Sequence, residues 1–330
     1  MLQQVSRRVV QQVYAAEQHE GVNVIVRRAL GNRELRNLSP FLMLDEFNVG
    51  EGSGFADHPH RGQTTVTYML EGYMQHEDFA GHKGNIGPGD VQWMMVGKGI
   101  MHAEIPKHRD EKGNKLPSPH GLQLWIDLPP EAKKADPSYQ EFVGANLPSA
   151  TPRSDEPAER EGKGWHVKVV SGVSHGVKSP LKLPQNGGCY YMDVRLEPGG
   201  WIFQDIPHGW NAFVYGMDGQ VKIGDSDKIF DAHNTLVLSN PALHSETTDE
   251  AKHVLSNTDG VRIENLSQDK HAHVFVIAGE PMTHEVVQYG PFVMSSRKEV
   301  YEAIEDFQNA RNGFERAANW QSDIAKTLRH

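Results

Sequence analysis

Apolar and polar residues along this chain alternate in short runs, with no sustained helical period until the end. Runs at 22–26, 65–72, 91–96, 121–128 and 165–171 read as strands, followed by others at 189–196, 210–215, 221–223, 261–266 and 274–278. Several are separated by Gly, Pro and Asp clusters, the pattern of an all-β barrel or sandwich. Gly87-Pro88-Gly89-Asp90 is one such turn, with glycine free to take a positive φ after proline. Asp218-Gly219 reads as a tight hairpin joining the runs on either side. The period changes only near Ser296, where Val300, Tyr301, Ile304 and Phe307 fall at helical spacing. Gly313 is the expected stop of that helix, with Phe314 packing back, and the helix is expected to clasp the β-structure.

A chain of 330 residues is long enough for two hydrophobic cores. Residues 128–164 are rich in Pro, Ala, Glu and Lys, which places a linker there. The expected organisation is a first barrel over 1–135, a linker over 136–163, a second barrel over 164–294 and a helical segment over 295–330. Residues 239–260 are polar and predict a surface excursion from the second barrel.

The chemistry concentrates in two short strings. His58-Pro59-His60 is answered some forty residues later by His102-Ala103-Glu104. Residues i and i+2 of a strand point to the same face, so each string can aim two ligands at one point. Three imidazoles and one carboxylate suit a borderline divalent ion such as iron, manganese, nickel, copper or zinc. With no cysteine nearby, a closed structural zinc site is disfavoured. Eighteen histidines make chance pairs common, and His271 and His273 repeat the spacing without a matching second pair. His208, His244, His253, His271 and His273 are therefore expected to be ordinary surface or loop residues. His208 has no i+2 partner, and the second barrel is expected to hold no transition metal.

Longer strings resemble the pirin family. They are Phe41-Leu42-Met43-Leu44-Asp45-Glu46-Phe47, Asp57-His58-Pro59-His60-Arg61-Gly62, and Gly87 through Met94 running into Gly97 through Glu104. His120-Gly121-Leu122-Gln123-Leu124-Trp125, Ala278-Gly279-Glu280-Pro281 and Val287 through Met294 continue the likeness over nearly the whole chain. The resemblance implies an all-β bicupin, two cupin-type β-barrels of double-stranded β-helix (jelly-roll) form, with a C-terminal α-helix. It further implies that only the first barrel binds metal, usually iron as Fe2+, at the positions of His58, His60, His102 and Glu104. Pirins commonly carry an aromatic residue and then Glu after His-Arg-Gly, where this chain has Gln63-Thr64. Thr64 leaves Glu104 as the carboxylate ligand and catalytic proton acceptor. Asp57 and Gln123 are candidate partners for the ligating histidines.

Two functions follow from the resemblance. One is a quercetin 2,3-dioxygenase-type enzyme that takes a flavonol-like molecule and O2 at a mononuclear non-haem iron. The other is an iron-dependent, redox-sensing nuclear co-regulator that docks on a transcription factor. Arg27, Arg28, Arg33 and Arg36 form a basic cluster that is either a solvated face or a dock for an acidic partner. A net charge of −10 opposes general adhesion to nucleic acid, and direct sequence-specific binding is not expected. No run reaches the ~20 apolar residues of a membrane span. The single cysteine, Cys189, lies in a strand-like run and is expected to be a buried thiol in a reducing compartment. A monomer of the cytoplasm and nucleus is the expectation.

Overall fold

The alternating runs pair into two largely antiparallel β units in a computed structural model, which describes residues 5–20, 23–153, 162–183, 188–243 and 259–329. One unit takes residues 1–16 and 147–281, and the other takes 17–146 and 282–330. Both are cupin-type domains, and the fold is all-β, with one α-helix among the described residues, near the C-terminus.

Among the described residues, the unit that carries the histidine strings has two large sheets and a two-stranded one formed by Val287–Tyr289 and Phe292–Met294. A seven-stranded sheet runs in the order Ser138–Phe142, Val91–Met95, Gln63–Glu71, His120–Asp127, Phe41–Val49, Val24–Leu30, Glu17–His19. A four-stranded sheet runs Phe55–His60, Ile100–Pro106, Met74–Asp78, Lys83–Ile86. Alternation divides the residues of each strand between two faces. Val24, Val26, Phe47, Val49 and Met69 pack with Met74 and Ile86 in one apolar cluster. A polar row crosses the larger sheet in register: Arg28 opposite Asp45, Asp45 opposite Gln123, Gln123 opposite Thr67, Thr67 opposite Gln92, and Gln92 opposite Glu141.

The domain limits differ from the sequence expectation. Ser138–Phe142, inside the expected linker, pairs along its whole length with Val91–Met95. Val9–Tyr14 pairs with Asn234–Leu238, so the N-terminal strand joins the second cupin unit. Conversely, residues 282–294 join the first: Val293 N donates to Arg61 O at 2.9 Å and Arg61 N donates to Pro291 O at 3.2 Å. Strand pairing is non-local, so the order of residues does not say which sheet edge a segment closes. The excursion expected over 239–260 falls mostly outside the described residues.

In the other unit the 17-residue strand Cys189–Asp205 changes partner across Pro198-Gly199-Gly200, where Gly199 takes a positive φ of 67°. Its first half pairs with Ala272–Gly279 and its second half with Asp259–Glu264. An apolar cluster that includes Trp165, Val167, Met192, Val214, Ile263 and Val276 fills this unit. Asp218-Gly219 does not form the expected hairpin. Asn211–Asp218 pairs with Asn234–Leu238 and Ala272–Gly279, while Gln220–Ile223 pairs with Ile229–Asp231 and Asp259–Glu264. Gly219 does take a positive φ of 75°, and a Cβ there would stand 2.6 Å from His271 O. The turn chemistry is present, but the chain uses it to change partners.

The helix spans Arg297–Gln308. Ser296 Oγ accepts from Glu299 N at 3.2 Å, and Glu299 Oε2 accepts from Ser295 N at 3.1 Å, a reciprocal N-terminal cap. Val300, Ala303 and Phe307 pack against Phe292 and Phe314, while Tyr301 is 72% exposed and lies off that face. The helix ends at Asn309, before the expected stop at Gly313, and Phe314 does pack back, fully buried.

Candidate metal centre

His58 and His102 are direct antiparallel partners, on Phe55–His60 and Ile100–Pro106, and His60 sits opposite Ile100. Antiparallel register therefore sets all three imidazoles on one side of the small sheet. Their ligating atoms lie within 4.8 Å of one another. His60 and His102 are buried, whereas His58 is partly open. Burial, then the neighbouring imidazoles, push His60 and His102 well below the usual histidine pKa, so both are neutral and keep a nitrogen lone pair.

The donor set fits a divalent ion. His58 Nδ1 lies 2.8 Å from Ala56 O, and a carbonyl can only accept, so this nitrogen carries a proton and Nε2 is the atom left to bind an ion. His58 Nε2 and His102 Nε2 stand 3.0 Å apart. Two nitrogens bound at about 2.1 Å on adjacent corners of an ion would stand about 3 Å apart. The indole of Trp125 closes one side, edge-on to His60 at 5.0 Å.

Glu104 is not in the group that closes within 4.8 Å. The pairing with Phe55–His60 shifts between His102 and Glu104, with the extra residue on that partner strand, while Ile100–Pro106 stays in unbroken register with Met74–Asp78, so His102 and Glu104 keep the same face. The buried Glu104 carboxyl faces the polar row, 3.2 Å from Thr67 Oγ1 and 3.4 Å from Gln123 Nε2. Burial raises its pKa, and hydrogen bonds from Thr67 and Gln123 offset only part of that. On the adjacent strand His76 lies opposite Glu104, and its Nε2 is 2.8 Å from Glu141 Oε1.

Both expected histidine partners act elsewhere. Gln123 holds Glu104, and Asp57 accepts from Ser322 Oγ and Ser322 N. The residue beside a ligand candidate is Gln63, whose amide lies 2.9 Å from His60 Nδ1. Strand alternation puts Gln63 on the same face as Thr65 and Thr67, and Thr64 on the other. The sequence marked Gln63 only as a departure from the family pattern, with nothing to tie it to His60; His76 and Asp78, an i, i+2 pair, carried the spacing signal. Of the other histidines, His273 Nε2 bonds Asp193 at 2.7 Å, His208 lies 3.7 Å from Asp259 and His271 is exposed. His244 and His253 lie outside the described residues. Arg28 makes a two-point bond to Asp45 at 2.9 and 2.8 Å and reaches Glu20, while Arg27 pairs with Glu17.

Comparison with known proteins identifies the lineage. The family model described as Pirin matches residues 23–126, and that of the pirin C-terminal cupin domain matches 191–313. Human Pirin is 42% identical over 322 residues, covering 97% of this chain and 98% of its own length. This chain belongs to the pirin family. Among solved structures, a quercetin 2,3-dioxygenase from Acinetobacter baumannii superposes with a TM-score of 0.74 at 24% identity, covering 94% of this chain and 99% of that one. A bacterial pirin from Escherichia coli, in complex with nickel(II), gives a TM-score of 0.54 at 19% identity over 82% of this chain and 99% of its own. At these identities the two structures speak to fold. In this pirin-family chain the three-histidine group is the candidate metal centre, and no helix among the described residues is long and apolar enough to cross a membrane.

Proposed function

We propose that this pirin-family protein is a metal-dependent dioxygenase of the quercetin 2,3-dioxygenase type, acting on a flavonol-like molecule and O2 at a mononuclear Fe2+ centre. The observation that carries the reading is three converging imidazoles, two of them kept neutral by burial, beside one buried carboxyl of raised pKa. His58, His60 and His102 would hold the ion, with Glu104 as the fourth ligand. When bound, iron would act as Lewis acid and as a template for substrate and O2. Glu104 is also the group placed to take a proton from a substrate hydroxyl, because its raised pKa brings it closer to the pKa of the group it serves. Thr67 and Gln123 set the direction of its carboxyl. Trp125 and the buried strands exclude bulk water from one side.

The test is turnover by iron-loaded protein. The long-wavelength absorption of quercetin should bleach in air with release of CO and persist under nitrogen. Glu104→Gln should lower kcat by about 10²-fold or more, as for loss of a positioned general base, with iron content measured in parallel. A fully iron-loaded wild type that leaves quercetin untouched in air would remove the enzymatic reading. The co-regulator reading, with its cytoplasmic and nuclear placement, comes from the resemblance, and the basic cluster is its candidate dock for an acidic partner. Arg27 and Arg28 already face acids of their own chain, which leaves Arg33 and Arg36 as its exposed cations.

A further inference from the structure

We infer that Gln63 is a positioning residue that fixes the tautomer and direction of His60, so that the Nε2 lone pair of His60 faces the metal centre. The inference rests on reading the three histidines as that centre.

Gln63 is wholly buried at the start of the strand Gln63–Glu71. Three groups surround its amide: Arg61 O at 2.7 Å, Pro291 O at 3.2 Å and His60 Nδ1 at 2.9 Å. The two carbonyl oxygens can only accept, so they require the amide NH2. The amide oxygen is then left facing His60, and it can only accept as well. His60 must therefore carry its proton on Nδ1, which leaves Nε2 unprotonated. In the opposite orientation the amide oxygen would meet two carbonyl oxygens with no hydrogen between them, at the cost of buried unsatisfied groups.

The surroundings hold this arrangement in place. Gly62, at φ +86°, turns the chain so that Gln63 comes back behind His60, and a Cβ on Gly62 would stand 1.8 Å from Val293 O. Arg61 N donates to Pro291 O at 3.2 Å, and Lys133 Nζ donates to Gly62 O at 2.9 Å and to Val293 O at 3.2 Å. The two carbonyls that orient the amide are thus set by backbone pairing between 61–63 and 291–293. His58 obtains the same tautomer from its own strand, through Ala56 O. His60 obtains it from a side chain, so its tautomer can be changed by substitution.

The test uses the full-length metal-free protein, with histidine ring nitrogens labelled with ¹⁵N and His60 assigned through a His60→Gln control. Long-range ¹H–¹⁵N correlation should show the Nδ1–H tautomer at His60 in the wild type. Gln63→Met keeps the length of the side chain but offers no acceptor. It should lose the single tautomer and weaken Co2+ binding by about 10–100-fold, the usual effect of removing a partner of a ligating histidine. Gln63→Glu, which as a neutral acid offers an acceptor to His60 and a hydroxyl to Arg61 O, should keep the tautomer and most of the affinity. An Nε2–H tautomer in the wild type would overturn the inference, as would a Gln63→Met protein with unaltered tautomer and Co2+ affinity. A wild type that shows the Nδ1–H tautomer yet binds no Co2+ would overturn the metal reading on which the inference depends, and the two failures are told apart by the spectrum of the metal-free protein.

Discussion

Arg61 sits between His60 and the Gly62 turn, and its burial makes it a sensitive point in the first cupin unit. Its guanidinium donates to Asp306 Oδ2 at 2.9 Å, to Lys98 O at 2.6 Å and to Asn312 O at 2.6 Å, and it lies 4.6 Å from the centre of the Phe314 ring. The two side chains of the ion pair are only 7% and 11% exposed. Asp306→Ala would leave this cation buried without its counter-charge. Breaking such a pair typically costs 3–5 kcal/mol. Arg61 would keep two carbonyl partners and an aromatic face, so the lower end, about 3 kcal/mol, is expected. For a unit of this size that corresponds to a fall of roughly 6–12 °C in Tm. Replacing both partners, as in Arg61→Met with Asp306→Leu, should cost less than the sum of the two single changes, because no lone charge remains.

The pH dependence of the pair gives a second, independent check. Burial pushes the Asp306 carboxyl up, but hydrogen bonds from Arg61, Arg311 and Asn312 outweigh it and the net shift is downward. A depressed carboxylate pKa contributes stability that is fully present above the unfolded value of about 3.9 and is lost as pH falls through the folded value. The penalty of Asp306→Ala should thus be flat from neutral pH to about pH 5 and shrink only below about pH 4. Urea denaturation followed by circular dichroism across that range measures it. A penalty under about 1 kcal/mol at neutral pH, the size of an exposed pair, would refute the reasoning. So would a penalty that stays undiminished near pH 3.

Two further outcomes are expected. His58→Ala or His102→Ala should remove most of the bound metal and leave the far-ultraviolet circular dichroism unchanged, since neither side chain belongs to an apolar cluster; full metal retention in both would sink the ligand assignment. Cys189 is 1% exposed and burial raises its thiol pKa, so a disulfide reagent should label it only after unfolding; rapid labelling of the native protein would contradict its placement.

The parts of the molecule that could be read in advance are those governed by a local period. Two-residue alternation brought out most of the longer strands, and the His58/His60 string across from His102 contained the geometry of the centre, because direct strand pairing needs no other information. Local rules failed where pairing is remote. Asp218-Gly219 has the composition of a hairpin, but whether its flanking strands pair with each other is decided by Asn234–Leu238 and Asp259–Glu264, which sit on their edges instead. Asp306 reads as a charged helix position, and only the fold brings it to Arg61, 245 residues away. Glu104 is the instructive intermediate. Its spacing from His102 gave the shared face, which the unbroken pairing with Met74–Asp78 keeps, but only the fold brings Thr67 and Gln123 to its carboxyl.

Those hydrogen bonds bear on how the centre would work. A carboxyl already held by Thr67 and Gln123 reaches an ion only by exchanging those bonds for a bond to metal, and burial has already moved it toward the neutral form. The three imidazoles, by contrast, have two tautomers set by fixed acceptors, Ala56 O for His58 and the Gln63 amide for His60. Metal affinity should then reside mainly in the histidines, while Glu104 stays free to alternate between the polar row and the ion. On that argument Glu104→Gln, which preserves length and hydrogen bonding but not charge, separates the two roles: bound iron should fall little while turnover falls by about 10²-fold or more. If iron and activity instead fall together and in proportion, Glu104 is a permanent ligand, and the independence argued here from its hydrogen bonds is wrong.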